Sequence, residues 1–186
     1  TYRSFKWEIP EFYNFAYDTV DSWAEKDRTK LALISVADDP KVAQKHTFWE
    51  LSRLSNRFAN VLMAAGARPG DRLLVLLPRI PEWYVAVLGA MKAGVVFMPT
   101  PTLSMPKDIE YRLNSSGAAF AITDIDNAFK IRDIQQNCPN LKAVFIVGGQ
   151  QEGWISYEEE MEKAAPEVKE RIRTRTSDPL LIYFTS

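Results

Sequence analysis

Hydrophobic and polar positions along the chain change their period repeatedly, as they do in proteins that alternate strands with helices. Short apolar runs predict strands at residues 31–37, 72–78, 95–99, 118–124, 142–149 and 180–184. Helical spacing predicts helices at about 15–26, 49–65, 81–94, 106–117 and 126–136, with a short acidic helix after Ser156. Residues 45–49 are expected to return beside the first strand as a hairpin.

This alternation predicts an α/β fold, with a mostly parallel sheet flanked by helices on both faces. The run at 72–78 shows no polar alternation, which is typical of a strand covered on both sides. Ligands of such sheets bind beyond the carboxyl ends of the strands. The first candidates for a site are therefore the polar residues at the ends of predicted strands: Arg79, Thr100, Asp124, Thr185 and Ser186.

Composition narrows the class of protein without identifying it. The 186 residues are 46% hydrophobic and carry a net charge of -1, so no global field favours nucleic acid or an anionic membrane surface. The single cysteine, Cys138, excludes an internal disulfide and is expected to be a packed, inert thiol. The single histidine, His46, has no partners for a zinc set and is expected to be a surface imidazole. No apolar run reaches the length of a membrane span.

Two common kinds of site are absent from the sequence. No GxGxxG pattern is present, which argues against a classical dinucleotide-binding fold, and no pair of carboxylates stands out as a general acid and base. The segment LPRIPEWY places Arg79 between a strand end and a helix start. A helix anchored by Trp83 and Tyr84 explains most of this segment, and a ligand contact of Arg79 is the alternative.

The last residues of the sequence combine a predicted buried strand with two hydroxyl groups. Residues 180–184 are apolar, and Thr185 and Ser186 follow them directly. Phosphate-binding loops use inward-pointing backbone amides, and Thr or Ser hydroxyls donate further hydrogen bonds to phosphate oxygens. The position of this pair predicts a phosphate-binding role, and Ser186 is expected at the carboxyl edge of the sheet.

This segment resembles the adenylate-forming enzymes, the superfamily of acyl-CoA synthetases, firefly luciferase and peptide-synthetase adenylation domains. The phosphate-loop signature of that superfamily opens on an aromatic residue, Thr, Ser and Gly, and its first positions are matched by Tyr183, Phe184, Thr185 and Ser186. The segments NFAYD, LPRIPEW, VFMP and DIEYRL make the chain most similar to the medium-chain acyl-CoA synthetases. The resemblance covers nearly the whole chain.

The resemblance implies that residues 1–186 are the N-terminal portion of a large AMP-binding domain, without its remainder and without the small C-terminal domain. It implies a ligase that uses ATP, Mg²⁺ and coenzyme A. A medium-chain carboxylic acid attacks the α-phosphorus of ATP, and the CoA thiol then attacks the acyl-adenylate. Catalysis there depends on positioning and on charge stabilisation at phosphorus. We expect these residues alone to have no ligase activity, because the acyl pocket and the catalytic lysine lie downstream in the family.

The resemblance also assigns binding roles to individual residues. Thr185 and Ser186 would open the loop that holds the ATP phosphates. Arg112 falls where acetyl-CoA synthetases place an arginine near the nucleotide phosphate of CoA, and a helix-surface charge is the alternative. Leu103 falls where some medium-chain relatives place a CoA-contacting glutamine, and a leucine cannot make that hydrogen bond. No catalytic residue and no metal ligand is expected within the chain.

Other interpretations remain open from the sequence. The acid could instead be acetate or an aryl acid, or the chain could be an α/β binding module without catalysis. The implied partners are a small carboxylic acid, ATP and CoA, with no nucleic acid, and the oligomeric state is not predicted. The lack of a targeting segment favours the cytoplasm, with the mitochondrial matrix of animal relatives as the alternative.

Overall fold

The computed structural model of the protein describes residues 6–36 and 43–185. Its strands are β1 (Leu31–Val36), β2 (Ala43–Thr47), β3 (Arg72–Leu76), β4 (Val96–Pro99), β5 (Phe120–Asp124), β6 (Ala143–Val147) and β7 (Ile155–Ser156). Its α-helices are α1 (Ser22–Lys26), α2 (Phe48–Ala64), α3 (Pro81–Lys92), α4 (Pro106–Ser116), α5 (Ala128–Arg132) and α6 (Tyr157–Lys163). A π-helical segment, Ala16–Asp21, leads into α1, and a 3₁₀ turn, Gln135–Asn137, follows α5.

The main sheet has five parallel strands in the order β4-β3-β5-β6-β7. Leu73 of β3 pairs with Phe97 of β4 on one side and with Phe120 of β5 on the other. The strands β1 and β2 form a separate antiparallel hairpin, as the sequence predicts. The predicted α/β fold with a mostly parallel sheet is therefore confirmed.

Apolar side chains cover both faces of this sheet. On β3, Leu73 and Val75 belong to the core shared with α2, α3 and α6, while Leu74 and Leu76 belong to the core shared with α4 and α5. All four side chains are fully buried. Neither face of β3 meets water after Arg72, which fits its uninterrupted apolar sequence from Leu73 to Leu76.

One predicted helix is wrong in its bounds. The sequence predicts a helix over 126–136 with Asp126 as its cap, but α5 begins later and is only one turn and a half long. The carboxylate at its start belongs to Asp124, whose Oδ1 accepts a hydrogen bond from the backbone N–H of Asn127 (3.2 Å). The end of β5 thus supplies the acceptor that the sequence pattern assigned to Asp126.

The segment 180–184 is extended and lies at the edge of the sheet instead of forming a buried strand. The Ile182 N–H donates to the Phe97 carbonyl (3.1 Å), and the Phe97 N–H donates to the Leu180 carbonyl (3.3 Å), in parallel orientation to β4. Leu180 and Tyr183 are 46% and 67% exposed. The prediction of a buried strand is wrong for this chain because no described residue pairs with the outer side of the segment.

Candidate functional site

A cleft of about 400 Å³ opens beyond the carboxyl ends of β3 and β4, where parallel sheets bind ligands. Its walls come from the segments that follow these two strands, the first turn of α3, the middle of α4 and the edge segment 180–184. We call it the carboxyl-end cleft, and its lining residues are Leu77, Pro78, Arg79, Trp83, Tyr84, Pro99, Thr100, Pro101, Arg112, Tyr183 and Phe184.

A tight turn between β3 and α3 forms one wall. The Ile80 N–H donates to the Pro78 carbonyl (2.9 Å), and Pro81 takes the first helical position, where a missing N–H costs nothing. Trp83 and Tyr84 follow in the first turn of α3, with their rings edge to face and 5.1 Å between centroids. Because the rest of α3 is buried in the core, these two rings are fixed at the mouth of the cleft.

The segment after β4 forms the facing wall. The Thr100 N–H donates to the Val75 carbonyl (2.9 Å), and the buried Thr100 hydroxyl donates to the Met98 carbonyl (3.3 Å). Pro99 and Pro101 flank this residue and restrict the backbone on both sides. The wall is therefore rigid next to the strand, and the Thr100 side chain is used for structure.

Two arginines give the carboxyl-end cleft its charge. Arg79 and Arg112 both line it, and neither forms an ion pair with a carboxylate of residues 6–36 or 43–185. The Arg112 guanidinium lies over the Phe184 ring, 5.5 Å from its centroid, and Tyr111 meets the same ring edge to face. Aromatic walls with unpaired guanidinium groups suit a planar ligand that carries a negative charge.

Thr185, one of the two candidate phosphate-binding residues, lies at the same edge of the sheet. Leu181 bridges to Phe97, so the parallel register places Thr185 level with Pro101, just past the end of β4. Thr185 is exposed. Ser186 lies outside the described residues, so its expected position at the carboxyl edge stays a prediction. A phosphate-binding role for either residue also stays a prediction.

The remaining candidates lie apart from this cleft. Leu103 is 91% exposed on the loop between β4 and α4 and does not line the cleft. Asp124 is buried and accepts hydrogen bonds from Asn127. Cys138 is buried as expected, and burial raises the pKa of its thiol. His46 lies on β2 and is half-buried, so the expected surface imidazole is only partly exposed.

Two polar clusters are not predicted from the sequence. One joins Lys130 and Asn127 to the loop between β4 and α4. The other is a fully buried ion pair in which the Lys92 ammonium donates to Asp21 Oδ1 (2.7 Å). The sequence does contain one signal for the second cluster. Lys92 is a charged residue at the end of a helix that is otherwise nearly without polar residues, which indicates a buried charge that needs a partner.

A second cleft of about 400 Å³ lies at the opposite, amino end of β3 and β4. Residues 13–15, 69–70, 91–95 and 172–180 contribute its lining. Several of its polar groups pair with one another: the Asn14 amide donates to the Met91 carbonyl (2.8 Å), and the Thr174 hydroxyl donates to the Tyr13 carbonyl (2.9 Å). The carboxyl-end cleft is the better candidate, because it lies at the end of the strands where parallel sheets bind their ligands.

Comparison with known proteins assigns the chain to a family. A family model described as AMP-binding enzyme matches residues 20–186. The mitochondrial acyl-coenzyme A synthetase ACSM5 of Rattus norvegicus is 36% identical over 184 residues, covering 96% of this chain and 32% of the relative. The mitochondrial acyl-coenzyme A synthetase ACSM3 of the same species is 38% identical over 190 residues, covering 99% and 33%. The chain thus spans about a third of the length of these relatives.

Solved structures agree with this assignment. An acyl-CoA synthetase from Brucella canis superposes with a TM-score of 0.85 at 28% identity, over 94% of this chain and 32% of that chain. The anthranilate CoA ligase AuaEII, solved with anthranoyl-AMP, shares the fold with a TM-score of 0.82 at 24% identity, over 96% and 33%. Since the family model matches most of its length, the chain belongs to the AMP-binding enzymes, the adenylate-forming family that includes the acyl-CoA synthetases.

Proposed function

We propose that residues 1–186 form the N-terminal part of the large domain of an ATP-dependent acyl-CoA synthetase for a medium-chain or related carboxylic acid. Family membership supports the adenylation chemistry. The observation that carries the proposal is the carboxyl-end cleft, which gathers Arg79, Arg112 and the segment leading to Thr185 at one edge of the sheet. This is where an α/β sheet binds a nucleotide.

The proposed reaction has two steps. The acid's carboxylate oxygen attacks the α-phosphorus of ATP, which forms the acyl-adenylate and releases pyrophosphate. The CoA thiol then attacks the acyl carbonyl, loses its proton, forms the thioester and releases AMP. Hydroxyls of Thr185 and Ser186 would donate to the ATP phosphates, and the Arg112 guanidinium would pair with the nucleotide phosphate of CoA.

Mg²⁺ belongs to this proposal as the companion of ATP. The ion usually keeps several waters and is held by substrate phosphates with one or two carboxylates. Within residues 6–36 and 43–185, no three His, Cys, Asp or Glu side chains are grouped so that they could hold a metal ion. No residue of this chain is proposed as its ligand.

The part of the chain that the structure describes contains no helix long and apolar enough to cross a membrane. For the compartment, we keep both expectations from the sequence, the cytoplasm and the mitochondrial matrix. The names of the rat relatives support the second.

The test is an assay of the product of the complete open reading frame that encodes this chain. Medium-chain fatty acids, acetate and benzoate are each supplied with ATP, Mg²⁺ and CoA, and AMP and thioester are measured. We expect the highest kcat/KM with a medium-chain acid. A preference for acetate or benzoate would keep the adenylation and change the substrate, while no AMP formation with any acid would favour a non-catalytic α/β module.

The 186 residues by themselves are expected to be inactive, because the resemblance places the acyl pocket and catalytic lysine further along the family's sequence. The measurement is pyrophosphate release from ATP and a fatty acid by the isolated chain. Release above the rate without protein would contradict this expectation.

A further inference from the structure

The loop of residues 100–105, between β4 and α4, borders the carboxyl-end cleft. Its two ends are hydrogen-bonded, at Thr100 and at Met105, but its middle has few bonds of its own. Inside the loop, the Ser104 N–H donates to the Pro101 carbonyl (3.0 Å). Leu103 and Met105 are 91% and 60% exposed, so apolar packing does not hold the outer half of the loop. A segment with so little burial needs a contact from outside to keep one conformation.

That contact comes from α5. The Lys130 ammonium donates to the Thr102 carbonyl and to Asn127 Oδ1 (2.9 Å). Asn127 is oriented in turn, because its Nδ2 donates to Asp124 Oδ1 (2.7 Å) and leaves its own oxygen for the lysine. Asp124 is buried at the carboxyl end of β5. A continuous chain of hydrogen bonds thus joins the end of β5 to the loop.

The surroundings of Lys130 differ from those of an ordinary surface lysine. The side chain is half-buried, and no carboxylate in the described ranges forms an ion pair with it. Its ammonium instead bonds two neutral oxygens, and hydrogen bonds with a charged donor are about twice as strong as neutral ones. Fixing a lysine side chain costs rotamer entropy, which these bonds must offset.

We propose that Lys130 is a positioning residue for the carboxyl-end cleft. By holding the Thr102 carbonyl, it keeps the middle of the loop, next to the rigid wall at Thr100 and Pro101, in the conformation that accepts the nucleotide part of CoA. The inference rests on the proposed function. Lys130 does not line the cleft, so its loss should weaken the binding of CoA and leave acid activation by ATP unchanged.

The kinetic test compares three variants of the complete open reading frame's product. Lys130→Met removes the donors and keeps the length, Lys130→Arg restores a charged donor, and Lys142→Met removes an exposed charge elsewhere. For Lys130→Met we expect KM for CoA to rise about tenfold, the size expected for one charge-assisted hydrogen bond. We expect kcat and the rate of ATP–pyrophosphate exchange to stay at wild-type values. Lys130→Arg should bring the KM for CoA back close to the wild-type value, and Lys142→Met should have the wild-type KM.

Amide hydrogen exchange on the product of the complete open reading frame tests the hydrogen bond between Lys130 and Thr102 without any assay of activity. In Lys130→Met, the amides of residues 102–105 should exchange faster, while the core strands keep wild-type protection and show that the variant is folded. Unchanged exchange in the loop would show that the hydrogen bond from Lys130 does not hold the loop. Faster exchange with an unchanged KM for CoA would overturn the positioning role. A wild-type enzyme that makes no thioester would overturn the proposed function instead. The exchange rates would then test only whether Lys130 holds the loop.

Discussion

At the scale of single residues, Lys92 shows how a full charge is accommodated in the core of this protein. Its three N–H groups have three acceptors: Asp21 Oδ1 (2.7 Å), Asn56 Oδ1 (2.7 Å) and the Ser52 carbonyl (3.1 Å). Burial lowers the pKa of Lys92, and the Asp21 carboxylate opposes that shift. The Tyr17 hydroxyl donates to the Lys92 carbonyl (3.2 Å). One residue therefore connects the π-helical segment, α2 and α3.

Replacing Lys92 with methionine should lower the free energy of unfolding by about 3–5 kcal/mol, because Asp21 is left buried without a counter-charge. The double variant Lys92→Met/Asp21→Leu should recover much of this loss, since an apolar pair can replace a buried ion pair at little cost. Lys163→Met, at an exposed pair with Glu160, should leave the free energy of unfolding nearly unchanged. Urea unfolding at neutral pH measures all three. A double variant no more stable than the single one would contradict this explanation.

Single residues differ in how far the sequence predicts them. Arg79 could be nominated because the strand ends of a parallel sheet meet at one edge. Arg112 could be nominated from the family resemblance, and both residues line the cleft. The partners of Lys92 could not, because Asp21 lies 71 positions away and the contact exists only once three helical segments pack. Lys130 was missed for the same reason, since its acceptor is a backbone carbonyl of a loop 28 positions away.

At the scale of elements, α2 and α3 approach each other closely at Gly89. A Cβ at this position would lie 2.8 Å from Phe58 Cδ1 and 3.0 Å from the Ser55 carbonyl oxygen. Gly89 lies inside a helix, where glycine costs about 1 kcal/mol relative to alanine. The narrow space between the two helices, and not helix propensity, explains why position 89 is a glycine.

Gly89→Ala should therefore destabilise the protein by about 1–3 kcal/mol, because overpacking outweighs the gain in helix propensity. Ser115→Ala, at an exposed position of α4, should be neutral or slightly stabilising. Thermal or urea unfolding of both variants decides the matter. A Gly89→Ala variant more stable than wild type would show that the two helices can separate without cost.

Elements with a strong period are predicted well, and elements that depend on neighbours are not. The helix α2 follows its apolar spacing, and its capping box between Thr47 and Glu50 is formed. The short acidic helix predicted after Ser156 is present as α6, and Ser156 caps it by accepting from the Glu159 N–H. The start of α5 depends on Asp124 of a preceding strand. The burial of the edge segment 180–184 depends on which strands pair with it, and an apolar run in the sequence does not predict that pairing.

At the scale of the whole molecule, helices on both faces of the parallel sheet leave the carboxyl ends of β3 and β4 open. The carboxyl-end cleft forms there from five separate parts of the chain. Fold class and cleft position follow from strand order and from the rule for parallel sheets. The chemistry of the ligand does not follow from the fold, and it depends on which side chains line that edge.

The most direct test of the account asks whether Arg112 binds the nucleotide phosphate of CoA. In the product of the complete open reading frame, kcat/KM is measured for CoA and for dephospho-CoA, in wild type, Arg112→Met and Arg68→Met. Arg68 is an exposed arginine at the amino end of β3 and serves as the control. We predict that wild type and Arg68→Met prefer CoA, and that Arg112→Met loses about tenfold of that preference, the size of one charge-assisted contact. An Arg112→Met enzyme with the wild-type preference would contradict the assignment of the carboxyl-end cleft to CoA.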